Sequence, residues 1–281
     1  MSAFHAGGTS IRAGLPGALG EADRAFRDGR RAMHGAGEVS SDDGFQISEW
    51  CGMNQLDRPV WASLTSAHAH LAQGDARAKC YRPEINRFAS ACDDDDASLD
   101  ALARLLRPAQ PVFILQVPEI GIPSGVTVVK TAVGVQMVAA ERIETVPGPD
   151  RLIALGDADA EEMLALATLT QPGPFLRDTH RMGQFVGIRI DGRLAAMAGE
   201  RFRFPGYTEV SAVCTHPDFR GRGLASRLSR HVAAAIAARG DTAFLHAWQS
   251  NTTAIRLYEA LGFRLRCEVN VAVLERNTDG G

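Results

Sequence analysis

The residues best suited to chemistry fall in one run, Val213-Cys214-Thr215-His216-Pro217-Asp218-Phe219-Arg220-Gly221-Arg222-Gly223-Leu224-Ala225. A strand pattern ends at Thr215, a helix pattern begins at Leu224, and the turn between them is dense in Gly and Arg. Successive backbone N–H groups in such a turn point inward and the helix adds the positive end of its dipole, so the segment can cradle a pyrophosphate. Gly221 and Gly223 matter because a β-carbon would hold a phosphate away from the backbone. The spacing is neither that of a P-loop, which ends in Gly-Lys-Ser/Thr, nor that of a dinucleotide-binding turn. Glu209 lies on the same strand face as Ser211 and Val213. His246, on a later strand, has an ordinary pKa suited to proton transfer near neutrality, and Glu200 stands on the strand before Glu209. Cys214 lacks an activating His–Asp arrangement beside it and reads as core. Of Arg222, Arg227 and Arg230, only Arg222 is near enough to the turn in sequence to favour a phosphate contact.

The elements that must position these groups can be read from pattern. Strands are expected over 184–190, 193–204, 208–215, 243–248 and 263–274, with Asp191-Gly192 as a hairpin turn. Helices are expected over 159–169, 224–238 (stopped by Gly240) and 252–261. Val146-Pro147-Gly148-Pro149-Asp150 reads as a linker. Before it, residues 54–147 read as a separate small α/β module, with helices over 60–71 and 99–106 and strands over 111–117 and 126–140. The run Asp93-Asp94-Asp95-Asp96 reads as a solvated helix start rather than a cation site. Residues 1–50, rich in Gly, Ala, Ser and Asp, read as a flexible leader.

Composition excludes several classes. The chain has 281 residues, Lys+Arg 30 against Asp+Glu 33, and a net charge of -3, without the basic footprint of a non-specific nucleic-acid binder. All but Lys79 and Lys130 of the basic residues are arginine, which reads as coding bias. The five cysteines are scattered with no C-x-x-C pair, so no zinc knuckle or disulfide framework is indicated and no metal is expected. No apolar run approaches the ~18 residues of a membrane span, and no signal pattern opens the chain. The expectation is a cytoplasmic protein with no nucleic-acid or membrane partner.

The turn Arg220 to Ala225 reads Arg-x-x-Gly-x-Ala and resembles the pyrophosphate-binding motif of the GNAT superfamily of acetyl-CoA-dependent N-acetyltransferases. Asn251 to Phe263 is similar to the family's later motif, Asn-x-x-A-x-x-L-Y-x-x-x-G-F. The resemblance covers residues 150–276 and implies an α/β fold with a splayed, mostly antiparallel mixed sheet flanked by helices. It also implies acetyl-CoA as co-substrate, its phosphates on Arg220, Gly221, Arg222, Gly223, Leu224 and Ala225, with Asn251 nearby. The pantetheine arm would pair with the backbone of Val213 and Thr215 in the gap of the sheet, and N–H groups near Val213 or Cys214 would polarise the thioester. An amine would attack directly, with Tyr258 as general acid. Glu209 is the first candidate base and His246 the second. Glu209→Gln, nearly isosteric, is expected to leave stability almost unmoved. The acceptor, a primary amine of a small molecule or peptide, would be set by the loop 171–182 and the hairpin tip 204–207. A homodimer is allowed, and the N-terminal module could be a degenerate GNAT half that binds no CoA. The rival readings are a non-catalytic acyl-CoA sensor and a protein N-terminal acetyltransferase.

Overall fold

The computed structural model describes residues 54–145, 148 and 151–277. The expected leader, and all of the expected linker except Gly148, lie outside the described residues. An eight-stranded mixed sheet dominates, in the order β4-β11-β5-β10-β9-β8-β7-β6. Its strands are β4 (Val112–Gln116), β5 (Val126–Ala139), β6 (Leu152–Leu155), β7 (Phe185–Ile190), β8 (Arg193–Phe204), β9 (Tyr207–Thr215), β10 (Thr242–Trp248) and β11 (Phe263–Arg276). A separate three-stranded sheet of β1 (Ala72–Gly74), β2 (Ala78–Tyr81) and β3 (Ala89–Ala91) packs against its β4 end, joined by the bridge Phe88↔Phe113. Every pairing within the main sheet is antiparallel except β9 with β10.

Among the described residues five α-helices flank the strands: α1 (Pro59–Leu64), α2 (Asp96–Leu105), α3 (Ala160–Thr170), α4 (Leu224–Ala238) and α5 (Thr252–Ala260). The apolar face of α4, with Leu224, Leu228, Val232 and Ile236, buries against Ala196, Val210 and Leu245 and shares its core with Tyr258 and Phe263 of α5 and β11. The opposite face is covered in two patches. Leu56, Val60 and Leu64 pack with Phe88, Phe202 and Phe244, and α3 sets Met163 and Leu166 against Phe185, Met197 and Cys214.

One expectation is corrected by local chemistry. The single helix expected over 60–71 ends at Leu64, followed by a short 3-10 turn, Ala69–Leu71. Thr65 and Ser66 turn their hydroxyls back onto the carbonyls of Trp61 and Ala62, the competition with helix backbone that such side chains offer. His68 then inserts among Ser63 and Tyr81, its Nδ1 3.0 Å from the Ser63 hydroxyl and 2.9 Å from that of Tyr81. The acidic run does begin a helix: Asp95 caps α2 by accepting from the Ser98 N–H at 2.6 Å, while Asp94 pairs with Arg58.

The strands of the 54–147 stretch are divided between the two sheets. β4 and β5 lie in the main sheet, where β5 pairs with β11 along its whole length and with β10 from Gly134 to Val138. The sheet therefore crosses the boundary expected at 147/150.

Candidate functional site

The parallel pairing of β9 with β10 lasts only three residues, from Thr242↔Tyr207 to Phe244↔Glu209. Beyond it β10 pairs on its other side with β5 and β9 with β8, so the two strands part and leave a gap. On β9, Ala212 has φ +51°. Gly199↔Ser211 and Met197↔Cys214 are the flanking pairs, so Ala212 and Val213 together face Ala198. Such a bulge bends a strand and re-aims its groups. Val213, Cys214 and Thr215 follow, with no strand paired on the β10 side. The Cys214 side chain points away among the residues under α3, where burial pushes its thiol up to about 12. It is core, as expected.

The chain leaves β9 through a 3-10 turn, Pro217–Phe219, which His216 caps by accepting from the Asp218 N–H at 3.2 Å. Gly221 and Gly223 follow with φ of +76° and +72°, and Gly223 is the N-cap of α4. These left-handed values favour glycine. A β-carbon on either would meet no atom within 4 Å, so the space over the turn is open. The N–H groups of Gly221, Arg222, Gly223, Leu224 and Ala225 donate to no carbonyl among the described residues. Five unpaired donors at the head of a fifteen-residue helix suit a pyrophosphate. Arg220 and Arg222 are exposed beside them, Arg222 lying over the Phe219 ring at 5.3 Å. Arg227 instead donates to the Gly148 carbonyl at 3.2 Å. Asn251 caps α5, its side chain accepting from the Ala254 N–H at 3.1 Å.

Tyr258, on α5, is buried, its ring edge-on to that of Phe263. Burial, reinforced by Glu209 and Cys214, pushes the phenol up to about 12, so it keeps its proton at neutral pH.

Glu209 and His246 meet where β9 and β10 part. His246 Nδ1 is 2.7 Å from Glu209 Oε1. Arg201 of β8, which the alternation Arg201-Phe202-Arg203-Phe204 would put on an exposed face, grips the same carboxylate with Nε at 2.7 Å and Nη2 at 2.6 Å. Its guanidinium also lies over the rings of Phe88 and Phe202. Burial pushes Glu209 up, but the charge and hydrogen bonds of Arg201, then of His246, outweigh it and hold the carboxyl at about 2. For His246 burial dominates and lowers its pKa despite Glu209, so the imidazole is neutral at pH 7. A fully buried carboxylate salt-bridged to Arg201 and this weakly basic is a poor proton acceptor at neutral pH. Glu200 is committed elsewhere, to Arg239 at 2.6 Å.

Arg201 also lines a shallow surface cleft, with Pro172, Pro174, Phe175, Phe185, Ser211 and Ala212. The loop 171–182 thus borders the bulged part of β9. It is pinned by Thr179, which donates to the Ile85 carbonyl at 2.6 Å, and by His180, 2.7 Å from Asp157. The hairpin tip does not line this cleft: Phe204 and Tyr207 pack against Phe244. Among the described residues no cluster suited to a metal ion occurs, and no helix is long and apolar enough to cross a membrane.

A family model described as FR47-like protein matches residues 185–272, from β7 into β11. A crystal structure from Novosphingobium aromaticivorans, described as of the GNAT family of acetyltransferases, is 44% identical, with TM-score 0.75, covering 80% of this chain and 100% of that one. A GCN5-related N-acetyltransferase from Kribbella flavida, 18% identical with TM-score 0.55, covers 82% of this chain and 98% of that one and shares the fold. No curated protein matches. The parted sheet and these likenesses define the class as an acetyltransferase. With 44% identity over the whole of a relative, the chain belongs to the GNAT family of N-acetyltransferases.

Proposed function

We propose that the protein transfers the acetyl group of acetyl-CoA directly to a primary amine. The observation that carries this reading is the parting of β9 and β10 after Phe244↔Glu209, beside a turn whose five N–H groups donate to no carbonyl among the described residues and whose two glycines border open space. In this reading the turn from Arg220 to Ala225 holds the pyrophosphate. The free backbone edge of Val213–Thr215 holds the pantetheine arm, and an N–H of that edge stabilises the oxyanion. Asn251 borders the same gap. The protonated Tyr258 phenol donates to the departing sulfur. His246, neutral and oriented by Glu209 in the way a carboxylate orients a catalytic imidazole, replaces Glu209 as the proton acceptor. The acceptor amine enters by the cleft beneath the loop 171–182.

The test is calorimetric titration with acetyl-CoA, together with release of free CoA across a panel of small amines and peptides. Gly221→Asp should abolish binding, since its carboxylate would occupy the cradle and repel phosphate. Unchanged affinity in a folded Gly221→Asp would overturn the cradle. Tight binding with no turnover on any amine would favour the acyl-CoA sensor.

A further inference from the structure

Proton positions along a buried line of side chains follow from donor and acceptor chemistry alone. Arg266 of β11 donates to Asp57 at 2.6 Å and, from Nη1, to Gln136 of β5 at 2.9 Å. A guanidinium only donates, so the Gln136 atom facing it is the amide oxygen. The amide nitrogen of Gln136 then lies 2.9 Å from the Leu56 carbonyl, which only accepts, and 3.0 Å from His246 Nε2. Both neighbours of the amide agree on its orientation. Because nitrogen of the amide is the donor, Nε2 must supply a lone pair. In the neutral imidazole the proton therefore sits on Nδ1, where it is donated to Glu209 Oε1. Gln136 is 0% exposed and the Arg266 side chain 3%, so water does not compete for these bonds.

We propose that Gln136, clamped by Arg266 and through it by Asp57, is a positioning residue that fixes the proton of the Glu209–His246 pair on Nδ1 and reserves Nε2 as the basic nitrogen. This rests on the reading of His246 as the proton acceptor in acetyl transfer. Protonation of Nε2 in the reaction requires the Gln136 amide to give up that contact while its other hydrogen stays on the Leu56 carbonyl. The charged groups around the imidazole come from three strands: Glu209 of β9, Arg201 of β8 and Arg266 of β11. Glu209 and Arg201 compensate each other, as do Arg266 and Asp57. The uncharged amide opposite Nε2 therefore decides whether the ring gains a second proton.

The experiment is a long-range 15N–1H correlation spectrum of the full chain at pH 7, with the His246 signals assigned by their loss in His246→Asn. The expected spectrum has a protonated Nδ1 and an unprotonated Nε2. Gln136→Glu puts a carboxylate opposite Nε2, which then needs a donor. The ring should become doubly protonated at pH 7, the acid limb of the turnover profile should move up by at least one pH unit, and KM for acetyl-CoA should stay within about twofold. A purely structural role would lower stability without moving the limb. If Gln136→Glu does not fold, the wild-type spectrum decides: a proton on Nε2 overturns the proposal. A neutral ring in folded Gln136→Glu overturns it as well. The spectrum is read without turnover, so failure of every amine to react would refute the acetyl-transfer reading and leave the proton assignment standing.

Discussion

Glu209→Gln should destabilise the protein by about 3 kcal/mol at pH 7, and the structure supplies two routes to that figure. Glu209 is fully buried and its partner Arg201 is only 12% exposed. Removing one member of a buried pair typically costs about 3–5 kcal/mol, because the other charge is left uncompensated. The glutamine also turns an N–H₂ toward a site built of donors, the Arg201 guanidinium, the His246 Nδ1–H and the Phe202 N–H. Linkage gives the second route. The carboxyl is held at about 2 against an ordinary 4.5, a difference that corresponds to about 3 kcal/mol. Because the folded pKa is the lower one, the unfolded chain takes up the proton first as pH falls. This stabilisation is therefore present above pH 4.5 and lost as pH drops toward 2. Urea unfolding at pH 7 and again at pH 3.5 measures both features. The wild-type advantage should be about 3 kcal/mol at the first pH and smaller by about two-fifths, roughly 1.4 kcal/mol, at the second. The expectation that a near-isosteric change leaves stability unmoved is thus reversed, since shape is conserved but charge pairing is not. A difference below about 1 kcal/mol at pH 7 would refute the buried-pair reasoning. An advantage undiminished at pH 3.5 would refute the assignment of its pH dependence to Glu209.

Two further outcomes follow from groups on either side of the sheet. Tyr258→Phe should lower turnover at saturating substrate by about 10²-fold while acetyl-CoA affinity in calorimetry is retained, if the phenol serves the leaving sulfur. His68 is lowered by burial to about 4 from 6.5, so the folded state resists its protonation. Stability should fall by about 3 kcal/mol between pH 6.5 and 4, and His68→Gln should flatten that part of a urea-midpoint profile.

Much of the site was legible because its signals are local. A strand pattern, a Gly-Arg turn and a helix pattern lie within a short run around Thr215–Leu224, and β8, α4 and β10 fall within a residue of where periodicity puts them. The short strands β1, β2, β3 and β6, three or four residues each, carry too few positions for an alternation to register. Arg201 was missed for a different reason. Its neighbours Phe202 and Phe204 claim the core, and strand alternation alone then assigns the arginines between them to solvent. The register shift between Glu200 and Arg203 breaks that alternation and turns Arg201 inward to Glu209. A buried acid in a sequence implies a buried partner, and Glu209 was a signal that a cation had to be sought nearby.

Pairing partners far apart in sequence were the larger gap. The Val- and Ala-rich pattern of β5 reads as a buried strand, though only Gly134–Met137 are buried and Val128, Val129 and Val133 are exposed, and it says nothing about where the strand lies. In the fold it stands between β10 and β11, supplying antiparallel partners to Phe244–Trp248 on one side and to Phe263–Arg276 on the other. Beyond Phe244, β10 has no other strand beside it, because β9 has already turned away. The gap in the sheet thus depends on β5: by holding β10 on one side, it lets β9 part from it on the other while β10 stays anchored. The same strand brings Gln136 opposite His246, and the turn before α1 brings Asp57 and Leu56 to the other end of the line. The stretch 54–139 is thereby built into the site at two levels, as the strand that keeps the sheet continuous past the gap and as the source of the amide that faces the imidazole.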